Sequence, residues 1–291
     1  MMRVFIPTKG RAKIISTHQA FAGADYTIVV HDEAERERYC KNPTVDPAHV
    51  VVSGVPGDTF GLTRQREWVC QNLVEPDEWF VFADDNIKEL SAVAEPYYQQ
   101  PDLPVQDDAS LKGAYDTACP AARFMEIAGE MSAIADKVGA NLCGFATTGN
   151  FFFRGKKYRY AGYVIGKLML WHNRADFEFD HTISMEDFCH TAEHLYRYGA
   201  VLINNYVFPV AGHYEAGGMG TYEERIPIRK RDVQLLLKKY PGLFRIKERT
   251  GFEPGTDLTL RLHSPKQIQK WRRQLPGLRL KARGINVGRA R

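Results

Sequence analysis

The chain has 291 residues, 44% of them hydrophobic, and a formal net charge of +4. That is enough apolar content to bury a full core, which excludes a disordered chain. Five scattered cysteines without a CxxC pair exclude a disulfide framework or zinc knuckle as readings, and apolar runs far shorter than a bilayer exclude a spanning helix.

The start, MMRVFIPTKGR, enters a strand pattern directly, with no signal-type apolar region, so the expectation is a cytoplasmic protein with no membrane partner. RVFIPT (3–8) reads as a first strand, DYTIVVHD (25–32) as a second, HVVVSG (49–54) as a third and WFVFAD (79–84) as a fourth. Helical patterns lie between them: AKIISTHQAF (12–21), EAERERYC (33–40) and LTRQREWVCQNL (62–73). Strand alternating with helix predicts parallel strands joined by right-handed crossovers, hence an α/β, doubly wound sheet. Ligands of such sheets bind beyond the carboxyl ends of the strands. Those ends carry Lys9-Gly10-Arg11, His31-Asp32, the 54–61 loop with three glycines, and Asp84-Asp85-Asn86.

No GxxxxGK[ST] loop is present and no GxGxxG follows the first strand, which removes the usual support for kinase, ATPase and dehydrogenase readings. Two adjacent carboxylates closing a buried strand repel each other unless a positive group lies between them. A hard divalent cation, Mg²⁺ or Mn²⁺, takes oxygen ligands and would bridge a carboxylate to a pyrophosphate. A helix N-cap or a solvated turn is the plainer reading of the same pair.

In the second half, NLCGFATTGNFFFRG (141–155) and YVIGKLMLWHN (163–173) read as strands, and SMEDFCHTAEHLYRYG (184–199) as a helix started by Ser184 with Asp187 in its first turn. His190 and His194 lie four apart on it, but Glu193 is out of register for HExxH, so a polar helix face is expected there. His213 precedes a loop with Gly217, Gly218 and Gly220. Residues 223–291 hold 19 Lys+Arg against 6 Asp+Glu, a balance of +13, while the first 222 hold 20 against 29, or −9. The chain therefore divides into a core over 1–222 and a basic region over 223–291. From Ser264 onward there are nine basic residues and no acid, and Lys270, Trp271, Arg272 and Arg273 combine charge with a stacking ring, the footprint of nucleic-acid contact.

Taken in order, FIPTKGR, TIVVHDEA, GLTRQREWV, EWFVFADDN and EDFCHTAEHLYRYGAVL resemble the successive motifs of GT-A fold nucleotide-sugar glycosyltransferases, over about residues 3–215. IPTKGR and FADDN further resemble the phage TET/JBP-associated glycosyltransferases, enzymes of DNA base modification. The resemblance implies a GT-A, Rossmann-like and mostly parallel sheet with a basic C-terminal appendage. It implies nucleotide-sugar contacts at Pro7, Thr8, Lys9, Arg11, Asp32, Asp84 and Arg66, with Arg64 not separable from Arg66. It also implies a divalent cation at Asp85 or Asp84 with Asn86, joined by His213 from the glycine-rich loop. Asn86 stands where the family usually has Asp.

The general base maps to the acidic pair Glu186 and Asp187, with Asp187 favoured, and the donor is expected to be a UDP-sugar. The implied acceptor is a hydroxymethylated pyrimidine, such as hydroxymethylcytosine, in phage DNA within the host cytoplasm. A polysaccharide or other small acceptor, or a GT-A-like nucleotidyltransferase, are the competing expectations.

Overall fold

The computed structural model describes residues 2–95, 97–101, 116–149, 156–212, 221–248 and 250–261. The first strands are β1 (Val4–Pro7), β2 (Tyr26–Val30), β3 (Val50–Val52) and β4 (Trp79–Ala83). They are joined through α1 (Thr17–Ala20), α2 (Glu33–Cys40) and α3 (Gly61–Asn72). After β4 the chain turns into β5 (Ile87–Val93), then β6 (Asp116–Ala118), α4 (Ala121–Val138), β7 (Leu142–Phe145), β8 (Tyr158–Arg159) and β9 (Leu168–His172). There follow α5 (Glu186–Arg197), β10 (Leu202–Asn204), β11 (Val207–Ala211), α6 (Tyr222–Lys239) and a hairpin of β12 (Phe244–Ile246) and β13 (Leu258–Leu260).

Among the described residues the main sheet has the order β3-β2-β1-β4-β9-β7-β10-β8. β1 pairs in parallel with β2 and β4, and β2 with β3, as the alternation of strand and helix predicts. β9 runs antiparallel between β4 and β7, and β8 antiparallel to β10, so the sheet is mostly but not wholly parallel. A smaller antiparallel sheet, β11-β5-β6, branches off after the 84–86 turn.

The period-two pleat assigns each strand residue to a face. Val4, Ile6, Val81 and Ala83 join one core with Phe124, Ile127 and Met131 of α4 and with Tyr39 of α2. Phe5, Phe80, Phe82, Met169 and Trp171 point the other way, onto Val69 of α3 and Leu195 of α5. Helices therefore cover both faces, and the sheet is doubly wound. A third cluster packs Phe188, Ala192 and Tyr196 of α5 against Val233, Leu236 and Tyr240 of α6 and against the β12–β13 hairpin. The stretch 223–261 is thus built onto α5 and shares its core.

Three expectations change. The first helix covers only Thr17–Ala20 instead of 12–21. Ser16 and Thr17 spend their hydroxyls on the backbone carbonyls of Ile87 and Asp84, at 2.9 and 2.5 Å, a local competition that disfavours helix. Ser184 does not cap α5. Met185 is at that position, and the Ser184 hydroxyl and amide both donate to Asp232 of α6. His190 and His194 do not form a polar face, because α5 is covered on nearly every side; both are fully buried beside Trp171, Phe177 and Phe179. No described helix is long and apolar enough to cross a membrane.

Candidate functional site

A cavity of about 1050 Å³ opens at the carboxyl ends of β1, β2 and β4, and its far side is built by α5, α6 and the β12–β13 hairpin. Its volume is at the upper end of the roughly 300–1,000 Å³ typical of small-molecule sites. Pro7, Thr8, Lys9, Arg11, Asp84, Asp85, Asn86, Glu186 and Asp187 all line it. The strand-end motifs and the acidic pair of α5 are therefore brought to one place.

The turn after β1 is held by a chain of hydrogen bonds. The Arg11 amide donates to the Tyr39 hydroxyl at 3.1 Å, Tyr39 meets Thr8 Oγ1 at 2.5 Å, and Thr8 donates to Asp85 Oδ2 at 2.5 Å. Arg11 closes the ring with an ion pair to Asp85 Oδ1 at 2.6 Å. Both Asp85 oxygens are thus committed, and the carboxylate is only 6% exposed. Burial pushes its pKa up, and Arg11 opposes that. Glu35 of α2, also buried, accepts from the Gly10 and His31 amides and fixes the neighbouring strand ends. Lys9 is exposed at the rim and donates to the Gly57 carbonyl.

Asp84 differs from its neighbour. Its side chain is about one-third exposed to the cavity, while its amide is tied to the Lys167 carbonyl at 2.8 Å. Burial lifts its carboxyl to about 6, and Arg66 holds it back from rising further. Arg66 is itself 1% exposed. It donates to Glu186 at 3.1 Å, to the Gly166 carbonyl at 2.9 Å and to Asp84 at 3.5 Å, and so clamps the end of β4 to the start of α5. Burial raises Glu186 to about 7 against the pull of Arg66. Gly166 sits tightly at this junction: a Cβ there would lie 3.2 Å from Glu186 Oε1 and 3.3 Å from Asp187 Cβ.

Asp187 is held from three sides. Tyr163 donates its hydroxyl to Oδ2, the Gly166 amide approaches the same oxygen at 3.4 Å, and the Phe188 amide donates to Oδ1 at 2.9 Å. Its carboxylate faces the same cavity as Lys167, whose ammonium pKa is lowered by burial and raised back by Asp84.

Several residues sit elsewhere than the resemblance implied. Asp32 is exposed and does not line the cavity; its Oδ1 accepts from the Glu35 amide at 2.7 Å as the N-cap of α2, and His31 faces the cleft instead. Arg66 is internal, whereas Arg64 pairs at 2.5 Å with the cavity-lining Asp58. His213, Lys270, Trp271, Arg272 and Arg273 lie outside the described residues. Tyr39, Tyr163, Lys167 and Asp232 carried no signal in the sequence pattern, since their partners come from distant segments.

A divalent cation can be weighed against these donors. Among the described residues no cluster of three His, Cys, Asp or Glu side chains is arranged to hold a metal. Mg²⁺ and Mn²⁺ sites that also bind phosphate need only one or two protein oxygens. Asp84 offers a carboxylate open to the cleft, and Asn86 Oδ1 is a buried oxygen without a hydrogen-bond partner among the described residues, its amide donating to Gly212 at 2.9 Å. Hard oxygen donors of this kind fit a hard cation, and with both Asp85 oxygens bonded, Asp84 is the carboxylate of the pair that is open to the cleft. No family model matches the chain, and no curated protein matches it.

Proposed function

We propose that the chain is a glycosyltransferase, using a divalent cation, that moves a sugar from a nucleotide-sugar of the UDP type to the hydroxyl of a hydroxymethylated pyrimidine in DNA by inverting displacement. The observation that supports this reading is a cleft lined together by polar and basic groups at the ends of β1 and β4 and by the acidic pair on α5. The DNA acceptor rests on the resemblance of IPTKGR and FADDN and on the basic residues beyond Ser264.

The nucleoside is assigned to the end of the cleft lined by Pro7, Thr8, His31, Leu62 and Gln65, with the diphosphate over Lys9, Arg11, Asp84 and Lys167. Asp84 and Asn86 are the residues that would hold Mn²⁺ or Mg²⁺, and the chemistry such an ion supplies when bound is neutralisation of the diphosphate charge. Asp187 takes the proton of the acceptor hydroxyl. The hydroxyl oxygen bonds to the anomeric carbon, and the bond from that carbon to the diphosphate breaks with its electron pair on the leaving oxygen. Burial pushes the Glu186 carboxyl up, while its ion pair with Arg66 opposes that rise. Arg66 ties Glu186 to Asp84 at the end of β4.

The test is a screen of purified protein with UDP- and GDP-sugars against hydroxymethylated, unmodified and single-stranded DNA, with Mn²⁺ or Mg²⁺ and then with chelator. Sugar transfer to hydroxymethylated DNA alone, lost on chelation, is the expected outcome. Transfer to a glycan or small hydroxyl instead would replace the acceptor, and nucleotidyl transfer would replace the reaction.

A further inference from the structure

The segment 163–167 is clipped along the first two turns of α5. The Val164 amide donates to Thr191 Oγ1 at 3.1 Å and Thr191 returns a bond to the Val164 carbonyl at 3.3 Å. The Gly166 amide reaches Asp187 Oδ2 at 3.4 Å, and Tyr163 lays its ring on Phe188 at 4.3 Å between centroids and 24° between planes. Phe188 is in turn backed by Phe244 of the β12–β13 hairpin, edge-on at 5.8 Å. The Tyr163 hydroxyl has little freedom, and it ends on Asp187 Oδ2.

The two oxygens of Asp187 are not equivalent. Oδ2 receives the Tyr163 hydroxyl and the Gly166 amide, whereas Oδ1 receives only the Phe188 amide among the described residues. A carboxylate oxygen accepts about two hydrogen bonds, so Oδ2 is filled and Oδ1 keeps an open lone pair.

We propose that Tyr163 is the positioning residue of the base: by filling Oδ2 it leaves Oδ1 as the atom that receives the acceptor proton. This rests on the reading of Asp187 as the base. Burial and the nearby Asp187 charge keep the Tyr163 phenol far above its usual range, so it remains a donor at every working pH and does not compete for the proton. The charged groups around this pair are Glu186 and Arg66, with Asp84 and Lys167 lining the same cavity and Asp257 near Tyr163.

Tyr163→Phe keeps the ring on Phe188 and removes only the hydroxyl. Once a donor and acceptor are found, the variant should bind both with unchanged KM and turn over about 10- to 100-fold more slowly, the loss of one charge-assisted hydrogen bond. The acid limb of its kcat profile should move up, because an anion has lost a donor. A melting temperature like the wild type's excludes a folding defect.

The same change is read without turnover by ¹³C-carboxyl NMR titration of the full chain, with Asp187→Asn assigning the signal. An upward move of that titration in Tyr163→Phe is expected. An unmoved titration, or an unmoved kcat profile with full activity, overturns the role of Tyr163. Absence of transfer by the wild type under every donor and acceptor would instead overturn the glycosyltransferase reading, and the NMR titration would still decide whether Tyr163 sets the state of Asp187.

Discussion

Asp232 ties the C-terminal stretch to the acidic pair, and its removal should weaken both fold and site. The side chain is fully buried, on α6. Its Oδ2 accepts from the Ser184 amide at 2.6 Å, from the Met185 amide at 3.1 Å and from the Ser184 hydroxyl, while Oδ1 accepts from Arg231 at 2.6 Å. A carboxylate at the start of α5 is also favoured by the helix dipole. Asp232→Ala leaves two buried amides without a charged acceptor. At about 1.5–3 kcal/mol for each such bond, the loss is about 3–6 kcal/mol.

That is a large share of a typical folding free energy of about 5–15 kcal/mol. Arg231 is the control. Its side chain is 45% exposed, and without it the Asp232 carboxylate keeps its Ser184 and Met185 donors, so Arg231→Ala should cost less than Asp232→Ala. Urea unfolding followed by tryptophan fluorescence measures both, with a lowered midpoint at constant m-value as the signature of Asp232→Ala. A loss below about 1 kcal/mol for Asp232→Ala, or equal losses for the two variants, would refute the claim that this carboxylate holds α5 in place.

Other consequences follow from the same geometry. Asp84→Asn should abolish the part of nucleotide-sugar affinity that depends on Mn²⁺ or Mg²⁺ in calorimetry, whereas unchanged cation dependence would remove Asp84 as the ligand. His190 and His194 are held neutral by burial, His190 well below its usual range and His194 lowered to about 4. In the unfolded chain they protonate near 6.5, so the unfolded state binds more protons below that pH and stability must rise as pH goes from about 4 to 6.5. Replacing both by Phe should flatten that rise in urea midpoints measured across the interval; a slope identical to wild type would contradict it. Deleting 264–291 removes nine cations and no acid, so oligonucleotide binding should weaken and its salt dependence should become shallower. Equal affinity and slope would show that this stretch takes no part.

What could be read in advance was what one segment decides by itself. The apolar alternation of Val4–Pro7, Tyr26–Val30 and Trp79–Ala83 is visible without any partner, and α2 begins at Glu33 because Asp32 is an effective cap. Carboxylates at the end of β4 were legible as a candidate only through the order of the motifs around them, since alone such a pair reads as a cap or a solvated turn. What Arg66 does was not legible, since one helix position cannot tell a guanidinium facing a ligand from one clamped between Asp84 and Glu186. The burial of His190 and His194 was hidden for a similar reason. Alone, their helix shows polar residues at these positions, and only the packing of Trp171, Phe177 and Phe179 against it buries them. Tyr163 and Asp232 act across 24 and 48 residues, separations at which local pattern carries no information.

The most direct measurement is mass spectrometry of a hydroxymethylcytosine-bearing oligonucleotide incubated with UDP-sugar and Mn²⁺, using wild type and Asp187→Asn in parallel. The account predicts a hexose-sized mass gain with the wild type and none with Asp187→Asn, while calorimetry shows the same donor affinity for both. An equal mass gain with Asp187→Asn would contradict it.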